Sequence, residues 1–136
     1  MPFIDLPGLN DVKEPEVAPE GDYEMVIEAA DLMPSKKEGA PKDAQNIRLR
    51  VAFADDPQFA PVFHYISLPN SEDDDDKRVM KLRMAKEFLV HFGVDFDEGL
   101  EPEAMPGCHA LTHVTVEVDD KERESNRLML PRFSNE

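Results

Sequence analysis

Tryptophan is missing from this chain, cysteine occurs once, and lysine and arginine together number 15 against 30 aspartates and glutamates. Each scarcity excludes something. A lone cysteine, Cys108, cannot close an internal disulfide, so the fold must be held by its core, and 136 residues suffice for one domain with such a core. No apolar run approaches the roughly 20 residues that a membrane-spanning helix needs. The opening MPFIDLPGLND has neither the basic leader nor the apolar stretch of a signal peptide. The expectation is a soluble protein of a reducing cytoplasm, without cofactor or membrane partner. A formal charge of −15 argues against a binder whose whole surface is basic, because the average field repels DNA, RNA and anionic lipid. A local basic face can survive, since charges are screened within about 8 Å at physiological salt.

What is present reads as five strands and one helix. Residues 1–22 hold Pro2, Pro7, Pro15 and Pro19 among many acids, which predicts an extended acidic N-terminal arm ahead of a domain at 23–136. Phe3, Ile4, Leu6 and Leu9 give that arm apolar points with which to dock. GDYEMVIEAADLM alternates as a first strand, although Val26 interrupts the pattern. PSKKEGAPKDA is a turn, and a locally basic one. NIRLRVAF, residues 46–53, is a second strand with Ile47, Leu49, Val51 and Phe53 on one face and Arg48 and Arg50 on the other. VFHYISLP is a third strand of open parity. If Val62, His64 and Ile66 face inward, Phe63 and Tyr65 face outward, and one bulge reverses part of this.

After NSEDDDD, the segment KRVMKLRMAKEFLVHFG carries the acids, apolar spacing and terminal Gly93 of a helix. Val79, Leu82, Ala85 or Lys86, Leu89 and Phe92 define its expected core face, widened by Met80, Met84 and Phe88. VDFDEGLEPEAMPGC is a connection with room for one helical turn. HALTHVTVEV and NRLMLPRF close the chain as strands joined by the hairpin loop DDKERES. Three strands, a helix and two strands is the order of the OB-fold. The expected architecture is therefore all-β with one helix, an OB-fold-like five-stranded Greek-key barrel with the helix between strands 3 and 4. An open α+β sheet has the same element count.

MPFIDL, EGDYEMVIEAAD, FHYISLP followed by acids, KLRMAKEFLVHFGV and the closing SNRLMLPRF together resemble small phage and prophage proteins regarded as OB-fold, single-stranded-DNA-binding-like. The resemblance covers most of residues 1–133. It implies a cytoplasmic protein of the host cell that binds single-stranded DNA in DNA replication or recombination, beside replication or recombination proteins. Better-known bacterial single-stranded-DNA-binding proteins carry a long acidic C-terminal tail. Here the sequence reads RFSNE after the last strand, and recruitment through such a tail is not expected.

A single-strand binder needs cations along the backbone track and flat rings on which bases stack. Arg48, Arg50, Phe63 and Tyr65 are the candidates on strands 2 and 3. Lys36, Lys37 and Lys42 extend them through the first hairpin loop, and Arg127 or Arg132 through the last strand. The competing structural reading pairs the arginines with Glu24 and Glu28 and puts the two rings in the core, where rings of this type usually go. Lys77, Arg78, Lys81, Arg83 and Lys86 spread around the helix and read as solvated flanks of its buried stripe.

Other chemistry fits poorly. Cys108, His109 and His113, with His64 or His91, lack the paired spacing of a zinc site. EDDDD lacks the glycine and distal glutamate of a calcium loop. Asp119 and Lys121 resemble part of a metal-dependent nuclease site but fall in a hairpin turn. With no phosphate loop and no nucleophile elbow, no enzyme is expected. The rival function is an acidic protein-interaction module, a DNA-mimic inhibitor of a host nucleic-acid enzyme. Nothing in the sequence separates DNA from RNA or fixes the oligomeric state.

Overall fold

A computed structural model describes residues 3–11, 15–35, 39 and 41–132. Five strands, β1 (Gly21–Pro34), β2 (Gln45–Phe53), β3 (Val62–Ser67), β4 (His109–Val118) and β5 (Glu124–Met129), form one antiparallel sheet in the order β3-β2-β1-β4-β5. The helix α1 (Asp75–Phe92) lies between β3 and β4 in the chain. The outer strands β3 and β5 approach each other, so the sheet curls into a nearly closed, OB-fold-like barrel.

The long strand β1 makes this closure possible by serving two neighbours. Its first half, from Gly21 to Val26, pairs with β4, and its second half, from Met25 to Pro34, pairs with β2. The register slips between Ile27 and Ala29, a bulge that bends the strand. Val26, which blurs the alternation in the sequence, precedes the slip and stands in regular register on the outer side between buried Met25 and Ile27. Met25 and Ile27 point inward before the slip, and Ala30, opposite buried Leu49, points inward after it.

Alternation fills the barrel from all five strands. Ile47, Leu49, Val51 and Phe53 meet Val62, Ile66, Val114 and Leu128 in one buried cluster. One end is covered by Phe88, Leu89 and Phe92 of α1, whose start is set by Asp74 accepting the Lys77 N–H at 2.7 Å. Gly93 ends the helix at φ 69°, a left-handed backbone that costs a residue with a Cβ roughly 1 kcal/mol, and its N–H returns to the Leu89 and Val90 carbonyls.

Two expectations need correction. Only the last two turns of α1 are packed; Val79, Met80, Leu82 and Met84 are exposed, because an open cleft separates the first half of the helix from β3 and β5. The fifth strand is Glu124–Met129 rather than 126–133, since its hairpin with β4 pairs Glu124 with Val118, and Pro131 has no N–H with which to continue the ladder. The expected helical turn is present at Pro102–Ala104.

The last part of the proline-rich arm, residues 16–19, is woven into the barrel. Ala18 is fully buried, its N–H donates to Asn126 Oδ1 at 2.8 Å, and Asn126 Nδ2 donates back to the Ala18 carbonyl at 2.8 Å. Glu16 exchanges backbone hydrogen bonds with the β2–β3 connection at Gln58 and Ala60, and the Tyr23 hydroxyl donates to the Pro19 carbonyl. Residues 3–11 are exposed.

Candidate nucleic-acid interface

Cross-strand register assembles the outer face. On β2 and β3, Arg48 stands opposite Tyr65 and Arg50 opposite Phe63, all four on the side away from the core. Buried Val62 and Ile66 fix that parity without a bulge, so the rings point to solvent and not into the core, as their type would suggest. Phe63 is 52% exposed and Tyr65 57%. The Arg48 guanidinium carbon sits 6.0 Å from the Phe63 ring centroid, within cation–π range.

Neighbouring carboxylates temper this face. Arg48 Nη2 lies 3.6 Å from Asp31 Oδ2, and Arg50 Nε lies 3.5 Å from Glu28 Oε1. Charged hydrogen bonds run nearer 2.7–2.9 Å, and exposed pairs of this kind contribute roughly 0–1 kcal/mol. They are weak enough for a phosphate to displace. The structural reading is thus half met: Glu28 is a partner, whereas Glu24 hydrogen-bonds His109 Nδ1 at 2.6 Å on the adjoining strand.

Across the β3–β5 seam lies a cleft of about 640 Å³, walled by β3, β5 and the projecting part of α1. Tyr65 lines one side, so the sheet face runs into it. Lys81, Arg83, Arg127 and Arg132 line the cleft against one acid, Glu87, and Met80, Met84, Met129 and Leu130 supply apolar surface. Arg127 is held by Glu117 at 2.8 Å, and Lys81 by Asp73 at 2.9 Å. The Lys81 hydrogen bond, with the Asn70 N–H, keeps the Asp73 carboxyl below its usual range. At the bottom His64 stacks on Phe88 with ring centroids 4.9 Å apart. Burial, reinforced by the charge of Arg127, lowers its pKa to about 4.

Of the expected site, then, Arg48, Arg50, Phe63 and Tyr65 are brought together, and Arg127 stands across the seam from them. Lys36 and Lys37 lie outside the described residues; Lys42 is exposed in the β1–β2 turn. Sequence reasoning assigned Lys81 and Arg83 to solvated flanks and missed the methionines as a wall. The spacing Met80/Met84 and Arg83/Glu87 was the available signal, since residues four apart share a helix face. His109 and His113 point to the carboxylates of Glu24 and Asp22 on β1. Asp119 ties the β4–β5 turn by accepting from the Lys121 and Arg123 backbone N–H groups.

Comparison with known proteins finds no matching family model, no matching curated protein and no matching solved structure.

Proposed function

We propose that the chain binds single-stranded nucleic acid, DNA in the first instance, on the outer face of β2 and β3. The observation that carries this reading is the pair of half-exposed rings, Phe63 and Tyr65, set in register beside Arg50 and Arg48. Arginines hold the phosphates; bases stack on the rings at about 1–3 kcal/mol each. The strand then passes over Tyr65 toward Arg127. Barrel architecture supports the assignment, because strands 2 and 3 of OB-folds form the usual oligonucleotide face. The sequence's resemblance to small phage and prophage single-strand binders supports the same reading, and with it a proposed role in replication or recombination. The role is binding and not catalysis.

Polarisation of a fluorescent oligo-dT at low salt tests the proposal. Saturable binding is expected, weakening with a log–log salt slope of about −0.7 per phosphate contacted. The double variant Arg48→Glu/Arg50→Glu should lose most of it. A parent protein that leaves the oligonucleotide unbound at high micromolar concentration contradicts the reading.

One observation favours the rival, an acidic module that imitates DNA. Asp22, Glu24, Glu28 and Asp31 file along the outer face of β1 on a molecule of charge −15. On that reading Arg48→Glu/Arg50→Glu would strengthen the acidic face, and the oligonucleotide would be ignored by parent and variant alike.

A further inference from the structure

His64 and Tyr65 are consecutive on β3 and project from opposite faces of it, yet both line the cleft at the β3–β5 seam. The cleft therefore turns round the edge of β3, from the outer face that carries the exposed rings to a floor beside the core. β3 pairs with β2 alone among the described strands, so no strand closes that edge. The floor holds an unused recognition group. The His64 imidazole rests on Phe88 and makes no hydrogen bond among the described residues, whereas every fully enclosed side-chain nitrogen or oxygen there has a partner. Its nitrogens are thus open to the cleft. Burial and the charge of Arg127 keep the ring neutral, with one donor and one acceptor to offer. Around it Met80, Met84 and Met129 supply thioethers, which pack favourably against aromatic rings. The volume of about 640 Å³ falls within the roughly 300–1,000 Å³ of small-ligand sites.

We infer that the cleft is a base pocket: the strand lying on Tyr65 turns one nucleotide round the edge of β3, and its base enters between the methionines and His64, which hydrogen-bonds the base edge. This rests on the proposed binding of single-stranded nucleic acid and adds to it a site for one everted base. Flat rings with polar edges suit a cleft whose walls are apolar and whose floor presents a neutral donor and acceptor. Everting a base from a single strand costs little, because only stacking is lost. Lys81 and Arg127 are held by Asp73 and Glu117, and Arg83 is engaged within the chain, so none of the three is called on. Arg132 lines the cleft without an ion-pair partner among the described residues and is the cation for the adjoining phosphate.

Methyl NMR of the full chain with isotope-labelled methionine tests the inference on the parent protein, so that no variant need fold. Titration with oligo-dT should shift the Met80, Met84 and Met129 methyl signals through the ring current of the entering base, saturating together with polarisation. An abasic deoxyribose-phosphate oligomer of equal length brings phosphates without bases and should leave the three signals in place. His64→Phe keeps a ring on Phe88 but removes both nitrogens, and should weaken oligo-dT binding roughly two- to tenfold, the worth of one net hydrogen bond. Oligo-dT that binds by polarisation without moving the three methyls overturns the pocket and leaves the binding face standing. An abasic oligomer that moves them equally, or an undiminished affinity in His64→Phe, also overturns it. Oligo-dT that does not bind at all removes the pocket and the face together.

Discussion

His64 is the residue whose chemistry departs furthest from its ordinary behaviour. It faces inward on β3, stacks on Phe88, and its pKa of about 4 follows from burial and from Arg127. In the unfolded chain the imidazole takes up a proton near its ordinary 6.5. The folded form therefore binds fewer protons between pH 6.5 and about 4, and stability must fall as pH drops through that window, by at most about 1.4 kcal/mol per pH unit. His91, whose pKa burial also lowers, adds to the same trend. Asp73 acts lower still: its contribution is complete above the ordinary carboxylate range and is lost below it. His64→Phe, which keeps a ring against Phe88, should flatten the melting temperature between pH 6.5 and 5 relative to the parent. An unchanged slope would show that His64 is protonated in the fold. The sequence located His64 on a strand but left its side open, because VFHYISLP contains apolar residues at both parities. Packing of Val62 and Ile66 against the core resolved the parity, and the same choice turned Phe63 and Tyr65 outward.

Helix α1 illustrates what periodicity can and cannot reveal about an element. Its bounds were legible: acids, an apolar spacing and a terminal glycine predicted 77–93, and the helix is Asp75–Phe92. Which apolar residues are buried was not, since the spacing marks a stripe along the whole helix, whereas only its last turns meet the core and an open cleft lies under the rest. Urea unfolding separates the halves. Phe88→Ala should cost about 3–5 kcal/mol, as a fully buried ring does, whereas Leu82→Ser should stay within about 0.5 kcal/mol. Asp74→Ala, which removes the acceptor for the Lys77 N–H, should cost about 1 kcal/mol. Equal losses at Phe88 and Leu82 would mean that the projecting half is packed after all. β5 gave the other mismatch, because Leu128 and Leu130 continue the alternation to a proline that ends the ladder.

At the scale of the molecule, the order of elements was enough to anticipate the barrel, since few topologies join three strands, a helix and two strands by short connections. The seam was not legible, as it depends on how nearly β3 and β5 meet and on an arm whose prolines suggested separation from the domain. Ala18 and Asn126, 108 positions apart, are joined by two hydrogen bonds that no local pattern announces. A molecule of charge −15 presents nucleic acid with a mostly repulsive surface, so the binding we propose rests on the small face around Tyr65, with the rings sharing the task with the arginines. That is the central claim. With no tryptophan and two tyrosines in the chain, Tyr23→Phe leaves Tyr65 as its sole strong emitter, and stacked bases quench tyrosine fluorescence. Titrating this variant with oligo-dT at low salt should quench the emission saturably, with an affinity matching polarisation, while Tyr65 emission that is indifferent to a bound oligonucleotide would contradict the account.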